Sequence, residues 1–131
     1  MSSLKVGLIG CGQIAQLIHL NVLKELPEVE LFALAESDPV RRKEASKRAP
    51  KARAFASYEE LLLMPGIDAV VICLPNNLHA EATLKAMEHG KHVYLEKPIA
   101  TSLSEAQDVL QAWQGSRLVG MIGFNYRFNS L

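Results

Sequence analysis

Residues 6–15 read Val6-Gly7-Leu8-Ile9-Gly10-Cys11-Gly12-Gln13-Ile14-Ala15. The apolar run from Val6 to Ile9 has the pattern of a buried first strand. A G-x-G-x-x-A motif follows, at Gly10, Gly12 and Ala15. From Ile14 to Leu26 apolar residues recur at 14, 15, 18, 22 and 26, a helical stripe that Pro27 ends. The glycine motif carries meaning only in such a strand-to-helix setting. Gly10 permits the tight turn, Gly12 lets the backbone approach a pyrophosphate, and Ala15 allows the helix to lie close on the strand. The free amides that open the helix, near Gln13 and Ile14, then face the phosphates. Dinucleotide binding is therefore expected at Gly10, Gly12, Gln13 and Ile14.

The same alternation continues along the chain. Val29 to Ala35 predicts a second strand and Val40 to Arg48 a short basic helix, with a weak strand around Phe55. Ser57-Tyr58-Glu59-Glu60 is a capping box that opens a helix ending near Met64, before Pro65-Gly66. Ala69 to Leu74 is an uninterrupted, β-branched run, as expected of a central parallel strand buried on both faces. Ala80 to His89 is helical, with Gly90 at its end. His92 to Leu95 is a fifth strand. A second capping box, Ser102-Leu103-Ser104-Glu105, starts a helix to Trp113, and Leu118 to Phe124 is a sixth strand. Strands and helices joined by short connections predict an α/β fold. It is a doubly wound parallel sheet of the Rossmann kind in three layers, α/β/α, with residues 1–131 as one domain.

Glu36 follows the second strand, 21 residues after Ala15. An acid there hydrogen-bonds the adenosine ribose hydroxyls and repels a 2′-phosphate, which favours NAD over NADP. Arg41 and Arg42 pull the other way: either can reach a phosphate or stack on adenine, or both can simply form a solvated basic helix face. A methyltransferase also combines a glycine loop with an acid after the second strand, so these residues alone leave that class open.

Composition narrows the partners. Lys plus Arg number 14 and Asp plus Glu 14, a balance that favours neither nucleic acid nor an anionic membrane. The two cysteines, Cys11 and Cys73, have no metal-ligand spacing and read as reduced, cytosolic thiols. The N-terminus lacks the pattern of a signal peptide or membrane span, so the expected location is cytoplasmic. His89 and His92 flank Gly90 and share no helix face, and with His19 they suggest no metal site. Met87 and Trp113 read as core residues.

Three later segments sit at strand ends: Leu74-Pro75-Asn76-Asn77-Leu78-His79, Glu96-Lys97-Pro98, and Gly123-Phe124-Asn125-Tyr126-Arg127-Phe128-Asn129. With the glycine loop, they resemble the Gfo/Idh/MocA oxidoreductases, the family of glucose-fructose oxidoreductase and inositol dehydrogenase. The resemblance covers essentially the whole chain, and Glu-Lys-Pro is its most specific part.

That resemblance implies an NAD(P)-dependent enzyme acting on a sugar or cyclitol hydroxyl. It places Lys97 beside the nicotinamide and the substrate hydroxyl as the catalytic residue; the bland alternative is a surface ion pair with Glu96. It implies a cofactor-side role for Leu74, Pro75, Asn76 and His79, although His79 can also be read as a solvent-facing helix start. It puts Glu96 near the nicotinamide ribose and Asn125 near the carboxamide or ribose. It makes a cis bond before Pro98 the expectation. Tyr126 and Arg127 would begin the crossover to a second, substrate-binding domain that this sequence does not contain. The chain alone is then expected to bind dinucleotide without efficient turnover. Apolar surface near Tyr126 and Phe128 would be exposed, and self-association would follow from it. A non-catalytic NAD(P)-binding regulatory module is the rival reading.

Overall fold

A computed structural model describes residues 2–130. Its strands are β1 (Leu4–Ile9), β2 (Val29–Ala35), β3 (Arg53–Phe55), β4 (Ala69–Ile72), β5 (His92–Leu95) and β6 (Gly120–Ile122). Its helices are α1 (Leu20–Glu25), α2 (Pro39–Arg48), α3 (Tyr58–Leu63), α4 (His79–Glu88) and α5 (Leu103–Gln114). All six strands join one sheet in the order β3-β2-β1-β4-β5-β6, and every neighbouring pair is parallel. This is the doubly wound Rossmann order, with its reversal between β1 and β4.

Side chains alternate across the sheet with the two-residue period of a strand. Leu8 and Leu34 point to one face, where Leu20 and Leu23 of α1 and Ala45 of α2 cover them. Ile9, Ile72 and Leu95 point to the other, against α3, α4 and α5 through Leu61, Ala82, Ala86 and the half-buried Trp113. Both faces of the central strands are therefore apolar, which explains why β1 and β4 read as continuous hydrophobic runs. Met87 and Trp113 lie in this core, as expected.

The serine half of each capping box forms: the Ser57 hydroxyl accepts the Glu60 amide and the Ser102 hydroxyl the Glu105 amide, each at 3.2 Å. Several details differ. β4 stops at Ile72 rather than Leu74, because Pro75 has no amide with which to continue a ladder. β6 spans Gly120–Ile122 rather than 118–124, because it is an edge strand held by β5 alone. α2 begins at Pro39, capped by Asp38, whose side chain accepts the Arg41 amide at 2.9 Å; proline suits a first helical turn. That hydrogen bond is the main reason the Asp38 carboxyl is held below its ordinary value. Finally, helix runs from residue 13 to 25, but Ala15–His19 is a π-helical turn in which the Leu20 amide reaches back to the Ala15 carbonyl. Apolar periodicity carries no sign of it.

One glycine reports on the packing of α5. A Cβ at Gly120 would stand 2.0 Å from Cε2 of Trp113. Gly120→Ala is expected to lower stability by roughly 1–3 kcal/mol, the usual cost of overpacking. Thermal unfolding followed by circular dichroism checks this; an unchanged midpoint would contradict the packing described here.

No helix among the described residues is long and apolar enough to cross a membrane.

Candidate functional site

The strand order reverses between β1 and β4, and a crevice opens there at the carboxyl ends of the strands. Two glycines shape its floor for different reasons. Gly10 has φ +88°, and a Cβ on it would lie 2.6 Å from the carbonyl oxygen of Cys73 at the end of β4. Both the dihedral and the neighbouring backbone demand glycine. Around Gly12, by contrast, a Cβ would meet nothing within 4 Å, and φ is outside the left-handed region. No described protein group requires a glycine at that position. The Gln16 amide bonds the Gly12 carbonyl at 3.0 Å, so the exposed Gln13 and Ile14 come before the first helical hydrogen bond and their amides lack an intrahelical acceptor. The Gln16 side chain donates to the Cys11 carbonyl at 2.8 Å and steadies the loop, a role that the sequence reading did not assign. These features fit the pyrophosphate of a dinucleotide.

On the β2 side of the loop stands Glu36, buried at 7 % exposure. One carboxylate oxygen accepts the Cys11 amide at 3.1 Å, and the other accepts the guanidinium of Arg41 through Nε and a terminal nitrogen, both at 2.7 Å. The same pair raises the Arg41 guanidinium above its ordinary value, chiefly through the Glu36 hydrogen bond. Arg42 is committed elsewhere, donating to the carbonyls of Glu36 at 2.8 Å and Ser37 at 3.3 Å. Of the two arginines, it is Arg41, with its side chain half exposed, that pairs with the Glu36 carboxylate. A cavity of about 170 Å³ lies here, lined by Glu36, Ser37, Tyr58, Leu74 and Leu78 among others. Its apolar walls and single buried carboxylate suit an adenosine.

On the β4–β5 side lies a second cavity, of about 200 Å³, lined by Ile14, Cys73, Leu74, Asn76, His79, Glu96 and Lys97. Leu74 borders both cavities. The glycine loop, which follows β1, lies between them in the strand order. Lys97 is exposed, and none of the ion pairs among the described residues involves it. The alternative of a pair with Glu96 is therefore corrected: Glu96 binds Nε2 of His19 at 2.7 Å with one oxygen and accepts the Lys97 amide at 3.2 Å with the other. The Lys97–Pro98 bond is cis, as the resemblance implied.

His79 is 1 % exposed, which corrects the solvent-facing alternative. Its ring nitrogens lie 2.6 Å from the Pro98 carbonyl and 2.8 Å from the Leu74 carbonyl. Pro75 and Asn76 are exposed at the start of a 3₁₀ turn, Asn76–Leu78. Asn125 opens another such turn, Asn125–Phe128, and does not line the second cavity. Beside it Tyr126 and Phe128 are 85 % and 70 % exposed, in keeping with the apolar surface expected there. Burial pushes the Cys11 thiol up to about 12 and raises Cys73 further, which disarms both as nucleophiles. No group of three or more His, Cys, Asp or Glu placed to hold a metal ion occurs among the described residues.

Comparison with known proteins agrees with this geometry. The family profile described as "Oxidoreductase family, NAD-binding Rossmann fold", that of Gfo/Idh/MocA, matches residues 4–124. The myo-inositol 2-dehydrogenase of Thermotoga maritima is 29 % identical over 126 residues, which cover 96 % of this chain and 37 % of that enzyme. The structure of scyllo-inositol dehydrogenase from Lactobacillus casei with NAD(H) and scyllo-inositol superposes with a TM-score of 0.91 at 26 % identity, over 98 % of this chain and 38 % of that one. The 3-ketoreductase of Actinomadura kijaniata, solved with TDP-benzene and NADP, gives 0.90 at 32 % identity, over 98 % and 40 % respectively. This chain thus spans about two fifths of each of these three proteins. The matched family sets the methyltransferase alternative aside.

Proposed function

The chain belongs to the Gfo/Idh/MocA oxidoreductase family, as its NAD-binding Rossmann domain, and from that premise we propose that it holds the dinucleotide for an enzyme that oxidises or reduces a sugar- or cyclitol-type carbinol. The observation that carries the reading is the pair of cavities flanking the glycine loop, one with Glu36 and the other with Lys97. When bound, the nicotinamide supplies the hydride acceptor or donor. Gly12 and the amides of Gln13 and Ile14 hold the pyrophosphate. Glu36 takes the adenosine ribose hydroxyls and gives a preference for NAD over NADP. Leu74, Asn76 and Glu96 border the nicotinamide half; Pro75 stands exposed beside Asn76, and Asn125, on the β6 side, lies outside that cavity. Lys97 projects into the crevice without an ion-pair partner, so its ammonium is free to hold or exchange the proton of the substrate hydroxyl. One wall of the reaction cleft is thereby built; hydride transfer also needs the carbinol carbon held about 3–3.5 Å from the nicotinamide.

The first test is titration of the chain with NADH, NADPH and S-adenosylmethionine. Saturable binding that prefers NADH is the expected result. Failure of both nicotinamide dinucleotides to bind, on a folded chain, would overturn the reading. Lys97→Ala is expected to leave NADH affinity within about threefold, because Lys97 makes no pyrophosphate or adenosine contact, and to reduce turnover by roughly 10²–10⁴. The rate is measured on a polypeptide that carries this domain together with a substrate domain. An unchanged rate would instead favour a non-catalytic dinucleotide-binding module.

A further inference from the structure

The residues on either side of Lys97 are each held by a histidine from elsewhere in the chain. Before it, the Glu96 carboxylate is bound by His19 at 2.7 Å. After it, the Pro98 carbonyl lies 2.6 Å from the buried ring of His79. Between them the Lys97 side chain is exposed, with none of the observed ion pairs made to it.

His19 reaches Glu96 from the last residue of the π turn that follows the glycine loop. That turn keeps Ala15 and Leu20 buried, at 1 % and 0 %, while His19 faces the end of β5. Its ring also meets Tyr94 edge-on, with centroids 5.6 Å apart and planes at 62°. Insertion of one i→i+5 turn in a helix is uncommon and recurs at functional sites. Its effect here is to aim the imidazole of the phosphate-binding helix at the Glu-Lys-Pro segment. Glu96 in turn accepts the Lys97 amide with its free oxygen, so His19 acts on Lys97 through one carboxylate. His79 meets the Leu74 carbonyl with its other nitrogen at 2.8 Å. It thereby couples the loop after β4, whose Leu74 borders both cavities, to the loop after β5.

We propose that His19 and His79 are positioning residues: together they brace residues 96–98 and hold the Lys97 backbone rigid over the nicotinamide cavity while its side chain stays free. The inference rests on the reading of Lys97 as the residue of the chemistry, but its first test needs no ligand. A site that holds its reacting group must lock the backbone that carries it, and contacts from two remote elements, one to the Glu96 carboxylate and one to the Pro98 carbonyl, do so without occupying the ammonium.

The experiment is ¹⁵N relaxation on the 131-residue chain, wild type against His19→Ala, His19→Gln and His79→Ala. Heteronuclear NOEs at Glu96, Lys97 and Ile99 are expected to fall in both alanine variants, while those of Val93 to Leu95 hold. His19→Gln keeps a donor for Glu96 and is expected to restore them. If His79→Ala does not fold, the two His19 variants decide. Undiminished order at Lys97 in the folded variants would overturn the proposal. The second arm titrates NADH and ADP. Loss of the bracing contacts is expected to weaken NADH on the order of tenfold, as for a hydrogen bond to a charged group, and to leave ADP within twofold. Equal loss of both ligands would mark a structural role and overturn the brace. So would an unchanged NADH-to-ADP ratio in variants whose wild type tells the two apart. A wild type that binds neither ligand refutes the cofactor reading instead, and the relaxation arm still decides on the brace.

Discussion

Gly12→Ala is expected to weaken NADH binding by about 10–100-fold while the thermal midpoint stays level or rises, since each lost charge-assisted contact to phosphate costs roughly 1.5–3 kcal/mol. The expectation comes from the empty space around this residue. Its new methyl would meet no described protein atom within 4 Å, and its φ is one that alanine adopts. The folded chain therefore loses nothing, and the unfolded chain loses entropy, which favours folding by about 0.4–1 kcal/mol. What the methyl obstructs is the approach of the pyrophosphate to the backbone. Gly10→Ala is the control with the opposite profile. Here the Cβ would lie 2.6 Å from a main-chain oxygen, on a residue at φ +88°. Neither the dihedral nor the Cys73 carbonyl can yield cheaply, so the cost is roughly 2–5 kcal/mol, a fall in Tm on the order of 10 °C. Calorimetric titration and thermal melts of the two variants side by side give the answer. If Gly12→Ala binds NADH like the wild type, the phosphate reading of the loop fails. If it melts early, the empty space around it does not exist.

Glu36→Gln is expected to move the NADPH-to-NADH affinity ratio toward NADPH by about 100-fold, and Arg41→Ala to move it the other way by about tenfold, taking roughly 1.4 kcal/mol per decade. In the wild type a buried carboxylate and a half-exposed guanidinium are locked together at 2.7 Å. A ribose with free hydroxyls can donate to the carboxylate as it stands. A 2′-phosphate must face that negative charge, at about 4 kcal/mol per unit charge at 4 Å and an effective dielectric of 20. The amide in Glu36→Gln removes the repulsion, weakens the ribose contact and frees Arg41 to take the phosphate, three changes of the same sign. Arg41→Ala does the reverse: it removes the phosphate's cation and leaves the Glu36 charge uncompensated. Among relatives of similar fold, the inositol dehydrogenase was solved with NAD(H) and the 3-ketoreductase with NADP, so the fold accommodates either cofactor and the choice falls to side chains. An unchanged ratio in Glu36→Gln would remove Glu36 from cofactor selection. Circular dichroism must accompany the titration, because Glu36 also accepts the Cys11 amide.

Much of this was legible in the chain. The glycine motif, the acid after the second strand and the strand-helix alternation all depend on residues near one another in sequence, and local periodicity and turn chemistry report on such features directly. Their consequence, a parallel sheet with ligand at the carboxyl ends of the strands, follows from general rules of α/β packing. Family resemblance extended that reading to Lys97 and to the cis bond before Pro98. The π turn was not legible, because Ile14, Ala15, Ile18 and Val22 suit an ordinary helix equally well. The sequence offered His19 only as no part of a metal site, and its contact with Glu96, 77 positions away, has no sequence signature. His79 was singled out, but neither alternative for it included a buried ring against two carbonyls. Arg41 and Arg42, adjacent and chemically identical, separated only when one met a carboxylate and the other the backbone.

By itself, then, the sequence determined the architecture and the place of the glycine loop at the end of the first strand, since each is written in short-range pattern or in a motif with its own local mechanics, while Lys97 was singled out by family resemblance. Tertiary structure alone decided which groups contact the residues beside that lysine and which arginine pairs with Glu36. His19 and His79 come within 3 Å of residues 96 and 98 through strand order, a property of the folded sheet rather than of any segment within it, whereas Glu36 and Arg41, five residues apart, meet across the turn from β2 into α2.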